Sequence, residues 1–273
     1  MTPGSPSQPP LAMMKNAIVD LVEALRRADL WLFLGWHDVR QRYRRSTLGP
    51  FWITLAMMIF VGLMTVVYSA LFGQDPRTFL PLVAAGLVLW TLISTCLIEG
   101  STVFINASST IRQIPAPLPV HVFRLLWQQV IYFGHNIIVV VLVVMFTESP
   151  INANVLLFVP AMLLIAVNLG WIVLLLGCLG ARYRDVPTIV QAFSSALFMA
   201  TPVMWAITFL PPERRWVAYL NPFTYLIEIA RVPLLGTAPS AQLWCAPIGM
   251  ALVGWLLAVF VYGRSRSRLA YWL

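Results

Sequence analysis

The chain has 273 residues, 60% of them hydrophobic and only 10% charged, with a mean hydropathy of +0.82 and a formal net charge of +8. A soluble domain carries about 25% charged residues, so this chain could not cover its own surface with polar groups. Charge is absent from residues 47–74, 78–98, 125–147, 149–181, 186–212 and 232–263, and each stretch is long enough for the roughly 20 residues that cross a hydrocarbon core.

In chain order, residues 1–10 are rich in Pro and Ser and lack the charged-then-apolar run of a cleavable signal, so they read as a disordered tail. From 11 to 45, Leu11, Met14, Ile18, Leu21, Leu25, Ala28 and Leu32 recur at alternating steps of three and four. Lys15, Asn16, Asp20, Glu23, Arg26 and Arg27 fall away from that seam, which predicts an amphipathic cytoplasmic helix. With Trp31 and Trp36 it suits the inner-leaflet boundary; a coiled-coil seam or a soluble contact is the alternative. Next, Arg40, Arg42, Arg44 and Arg45 precede a span, Gly49-Pro50 breaks the helix, and Trp52 marks the interface. The cluster reads as a positive-inside anchor or as a site for phosphate groups, whose oxygens the planar guanidinium fits.

Residues 46–273 then form one membrane domain with six predicted spans, near 51–72, 79–98, 122–146, 155–180, 188–210 and 243–262. With a cytoplasmic amino terminus, fourteen basic residues fall inside and four outside, so both termini are predicted to be cytoplasmic. That placement makes the positive charge a topology and anionic-lipid signal, and sets nucleic acid aside as a partner. Between the second and third spans, Ser108, Ile111 and Arg112 belong to a short helix, followed by a stiff exit at Pro115, Pro117 and Pro119. That short rigid helix suits contact with another protein, or is a tight turn; Arg184 and Asp185 sit in a second compact charged loop on the same side. Residues 211–236 carry Trp216, Tyr219, Asn221, Pro222 and Tyr225, and Glu228 can reach Arg231 one turn on. They read as two short periplasmic re-entrant helices, or as a plain hairpin.

Polar residues also interrupt the spans: His121, Arg124, Gln128, Tyr132, His135 and Asn136 in the third; Gln191, Ser195, Phe198, Thr201, Trp205 and Thr208 in the fifth; Thr54, Thr65, Tyr68, Ser69 and Phe72 in the first. They serve interhelical hydrogen bonds, or line a path for something polar and bulky. No constellation of catalytic residues stands out, and the sole lysine, Lys15, lies in the amphipathic helix, which excludes a phosphate-cradling loop with its Lys. Cys96, Cys178 and Cys245 lack paired spacing. No Asp or Glu lies within the spans, Glu99 and Glu148 standing at their ends, so an ion relay is disfavoured and a partner must supply the energy.

The runs Asp38-Val-Arg-x-Arg-Tyr-Arg-Arg-Ser-x-Leu-Gly-Pro-x-Trp52, Arg182-Tyr-Arg-Asp-Val-Pro187 and Asn221-Pro-Phe-x-Tyr-Leu-Ile-Glu-x-x-Arg231, with six spans behind an amphipathic helix, resemble the permease subunit of bacterial polysaccharide-exporting type 2 ABC transporters. The O-antigen branch is the most similar; capsule and teichoic acid exporters and permeases for small hydrophobic compounds are the alternatives. The resemblance implies a homodimer joined to two nucleotide-binding subunits that hold ATP and Mg, with no cofactor in this chain, and an undecaprenyl-diphosphate-linked glycan as substrate. It further implies that Arg42, Arg44 and Arg45 contact the diphosphate and that Tyr68, Ser69, Phe72, Gln191, Ser195, Phe198, Thr201 and Trp205 line the path. On the same reading Ser108, Ile111, Arg112, Arg184 and Asp185 couple to the ATPase, while Trp216, Tyr219, Asn221, Pro222 and Tyr225 form a periplasmic gate.

Overall fold

A computed structural model describes residues 9–147 and 152–273, in which all regular structure is helical. Most of the predicted tail, and Glu148, lie outside the described residues. The helices are α1 (Pro10–Arg26), α2 (Ala28–Arg42), α3 (Phe51–Phe72), α4 (Pro76–Ser101), α5 (Val103–Asn106), α6 (Ser108–Gln113), α7 (Pro119–Phe146), α8 (Phe158–Arg182), α9 (Val186–Ala200), α10 (Trp216–Tyr219), α11 (Pro222–Leu234) and α12 (Ala241–Trp272).

Local chemistry sets several of these boundaries. Gly73 closes α3 in the left-handed conformation, φ 61°, and Gln74 N–H returns to the Ser69 carbonyl at 2.8 Å. Two residues on, the Asp75 carboxylate accepts the Arg77 N–H at 2.8 Å while Pro76 occupies the first helical turn of α4. Asn221 and Pro222 repeat that start for α11, with the Asn221 side chain accepting the Phe223 N–H at 3.0 Å.

Among the described residues five helical stretches are long and apolar enough to cross a membrane: α3, α4, α7, α8 with its preceding turn, and α12. The predicted fifth span, 188–210, is not one helix. It stops at Ala200, and its 15 residues reach about 22 Å, short of a hydrocarbon core of about 30 Å. The cause is Pro202, which drives the preceding residue out of the α region; Thr201 sits at φ −96°, ψ 141°. The amphipathic segment 11–45 also divides, into α1 and α2 with a break at Arg27. Its predicted seam does not face protein uniformly. Leu11, Ile18 and Leu25 are exposed, whereas Ala17 and Ala24 are buried and Asp20 accepts from Tyr262 Oη at 2.9 Å and Arg266 Nη2 at 2.8 Å.

α4 is the axis of the bundle, packed by α3, α7, α8, α9 and α11. Of its apolar window 72% is buried, against 22% for α3, so α3 is a rim helix. Inside lipid, packing a leucine on protein gains little over packing it on acyl chains, and close approach of small residues does more of the work. Glycines mark these approaches. A Cβ on Gly86 would stand 1.9 Å from the Val203 carbonyl oxygen, and one on Gly180 1.8 Å from that of Ser101. Between α8 and α12 the exchange is reciprocal: Trp171 covers Gly254 and Trp255 covers Gly170. Both indoles are satisfied, Trp171 by Asn168 Oδ1 and Trp255 by the Val167 carbonyl, each at 3.1 Å.

Candidate functional site

Chain direction gives the bundle a basic end, holding α1, α2, α6, the 183–185 turn and the last turns of α12, and a distal end holding α10 and α11. Each end has a polar cluster built around an arginine and a carboxylate.

At the basic end α2 lies along α7, with Gly35 against Trp127 and the Arg124 backbone. This turns Asp38 onto Arg124, whose Nε and Nη2 reach its two oxygens at 2.5 and 2.6 Å, and Gln128 Nε2 donates to the same carboxylate. Such a bidentate fork fixes orientation as well as distance. One turn on, Arg42 Nη1 donates to Tyr132 Oη at 3.1 Å and Nη2 lies 3.6 Å from Glu99 Oε1. Glu99 accepts from Gln129 Nε2 at 2.8 Å, and Thr95 Oγ1 donates to Gln129 Oε1 at 2.8 Å. Burial pulls the Arg42 pKa down, but Tyr132 and Glu99 more than offset it, and the net direction is upward. Burial raises the neighbouring Tyr43, with Arg42 opposing.

Two cavities flank Arg42. One, of about 230 Å³, has Asp38, Glu99, Asn106, His121, Arg124 and Gln128 in its wall; the other, of about 190 Å³, reaches Thr95, Gln129 and Asn136. Arg42 is exposed but holds protein partners in Tyr132 and Glu99, whereas Arg44 and Arg45 are exposed and make no ion pair among the described residues. Of the polar stripe on the third span, Arg124, Gln128 and Tyr132 meet α2, whereas His135 lies against Phe51 of α3. The stripe's partners Asp38 and Glu99 were missed as a pair of acids at one level, because 86 residues separate Asp38 from Arg124. Of the other predicted contacts at this end, Arg112 and Asp185 are exposed and Ser108 half-buried. Ile111 packs on the core, and Arg184 donates to the Trp272 carbonyl at 3.0 Å.

At the distal end α11 is buried among α4, α8 and α12. Arg231 is 2% exposed; it pairs with Glu228 and donates through Nη1 to the Pro202 carbonyl at 2.6 Å. The Val203 carbonyl, admitted by Gly86, lies 3.4 Å from the same nitrogen. Asn221 Nδ2 donates to Thr201 Oγ1 at 2.7 Å. The backbone freed by the break in α9 is thus received by α11. The Glu228–Arg231 contact expected from the sequence is present, and it places a carboxylate inside the packed protein, where none was expected.

The predicted path residues do not share one surface. Ser69 and Thr201 are buried, Phe198 packs on Trp90 at 5.9 Å, and Phe72 makes tilted ring contacts with Tyr68, Phe79 and Phe209. Gln191 and Ser195 are exposed on α9. Trp205, Asn221 and Pro222 border an apolar cavity of about 590 Å³ with Leu197, Leu210 and Leu220. Trp216 is exposed, and Tyr219 stands 5.6 Å from Tyr225, its pKa raised by burial.

Fold and clusters together define a multi-pass helical membrane protein whose polar side chains serve chiefly to join helices. The ABC-2 type transporter description matches residues 29–235, from α2 to the end of α11. Over 213 residues the chain is 25% identical to the O-antigen export system permease protein RfbA of Myxococcus xanthus, covering 75% of this chain and 80% of that protein. The chain belongs to the ABC-2 type transporter family.

Proposed function

We propose that this chain is the transmembrane subunit of an ATP-driven exporter that moves an undecaprenyl-diphosphate-linked polysaccharide, of O-antigen class, from the cytoplasmic to the periplasmic side of a bacterial inner membrane. The observation that carries this reading is the similarity to an O-antigen export permease across three quarters of the chain. The basic end faces the cytoplasm, a placement that the fourteen-to-four division of basic residues supports. With α9 and its broken continuation as the sixth crossing, both termini are cytoplasmic, and α10 and α11 re-enter the outer leaflet as a periplasmic gate.

Two copies of the chain enclose the path. The exposed face of α9 supports this: Thr188, Gln191 and Ser195 recur there, and the Gln191 amide has no partner among the described residues. A carboxamide facing acyl chains is costly, so a second copy or a wet conduit is the favourable neighbour. Tyr68, Phe72, Phe198 and Trp205 guide the sugars when the path opens. Arg44 and Arg45 meet the diphosphate first, with Arg42 behind them. α6 and the Arg184–Asp185 turn contact a separate ATPase, two copies per dimer, which binds ATP and Mg.

Depletion of the protein tests the reading. Undecaprenyl-diphosphate-linked O-antigen glycan should accumulate on the inner leaflet and disappear from the surface. Normal surface glycan under depletion would overturn it, and accumulation of a capsule or teichoic polymer would reassign the substrate.

A further inference from the structure

We propose that the cavity between α2, α4 and α7 at the basic end binds the phosphoethanolamine headgroup of a membrane phospholipid. Its wall contains two arginines and two carboxylates, so its formal charge cancels while its poles stay apart. Asp38 already accepts three hydrogen bonds, on both oxygens, from Arg124 and Gln128. Glu99 accepts fewer: Gln129 occupies Oε2, and Arg42 at 3.6 Å from Oε1 is beyond hydrogen-bonding distance. The available acceptor is therefore a carboxylate oxygen.

The available donors lie on the other charge. Arg42 spends one N–H on Tyr132, Arg124 leaves Nη1 uncommitted, and a guanidinium carries five donors in all. His121, 4% exposed in the same wall, has no partner at Nδ1. A phosphate fits between Arg42 and Arg124, and a primary ammonium fits Glu99. A zwitterion supplies both without adding net charge, whereas a bare phosphate would bring uncompensated negative charge beside Glu99 and Asp38.

Position agrees with this ligand. The adjoining cavity touches Tyr43 and Ile53, beside Trp52 at the start of α3, and Phe33 and Trp36 are exposed on α2. That is headgroup depth. Of the arginines proposed to meet the transported diphosphate, only Arg42 borders this cavity.

The test uses the purified full-length protein in vesicles of phosphatidylglycerol mixed with either phosphatidylethanolamine or phosphatidylcholine, read by native mass spectrometry after extraction. Phosphatidylethanolamine should be retained roughly tenfold better, the loss expected when a trimethylated ammonium cannot donate to Glu99. Glu99→Gln should erase that preference while leaving phospholipid adducts. Equal retention of the two lipids by the unaltered protein would overturn the proposal whatever the variant does. So would a preference that survives Glu99→Gln, or stronger retention of phosphatidylglycerol, which would mark a simple anion site.

Discussion

Both ends of the bundle set an arginine against a carboxylate, yet the two pairs stand in opposite surroundings. Arg231 and Glu228 have side chains 2% and 10% exposed, and the arginine's Nη1 closes on two backbone carbonyls. Arg124 and Asp38 are 21% and 22% exposed and border a cavity, and beyond them Arg42 and Glu99 are more open still. A desolvated pair tied to backbone carbonyls has little freedom to hold another arrangement. A half-wet pair beside uncommitted donors can exchange partners with little penalty, because water screens the intermediate states. The distal cluster therefore fixes the broken helix, and the basic-end cluster is where a ligand can compete.

The largest effect expected from this contrast follows Arg231→Met. Methionine keeps much of the length but leaves Glu228 buried without a cation and the Pro202 and Val203 carbonyls without a donor. Losing one partner of a buried pair costs about 3–5 kcal/mol. Thermal unfolding of the purified protein measures it, and the double variant Glu228→Gln/Arg231→Met should recover part of the loss. A shift equivalent to less than about 1 kcal/mol would put the distal pair in the same class as a surface ion pair and remove the contrast.

A smaller effect is expected of Asp38→Asn. The fork to Arg124 loses its charge but keeps an acceptor, and water can reach the site, so the cost is about 1–2 kcal/mol. The change should be local: α2 should become accessible to protease while the core of α4 keeps its protection from hydrogen exchange. Global loss of protection would mean that α2 is part of the cooperative core.

Much of this architecture is legible from residue order. Residues 51–72 were read as a span and form α3, and the predicted 155–180 overlaps α8 at Phe158–Arg182. Hydropathy succeeds there because the demand is on length and absence of charge, both local properties. It fails at 188–210 because Pro202 is as uncharged as its neighbours. The carbonyls freed by the break are met by Arg231, 28 and 29 residues later. The amphipathic seam of α1 failed for a related reason. Lipid and protein interior are equally apolar, so Ile18 and Leu25 can face outward while Ala17 and Asp20 dock on α12. Which helix meets which is carried by glycines and single polar side chains, and a period of 3.6 does not display them.

The least effect on stability, and the sharpest division between holding and function, belongs to Arg44→Gln with Arg45→Gln. Both side chains are exposed and without an ion pair among the described residues, so the pair of changes should move stability by no more than about 0.5 kcal/mol. If they meet the lipid diphosphate, export should fall steeply while dimer and ATPase association persist, because two charge-assisted contacts are lost where the substrate first engages. Arg42→Gln should differ from this double variant by also loosening Tyr132 and Glu99, so that reduced export comes with reduced stability. Export surviving in Arg44→Gln/Arg45→Gln but failing in Arg42→Gln would move phosphate recognition from the exposed pair to the cavity wall. The division between a rigid distal end and an exchangeable basic end would then run through a single arginine.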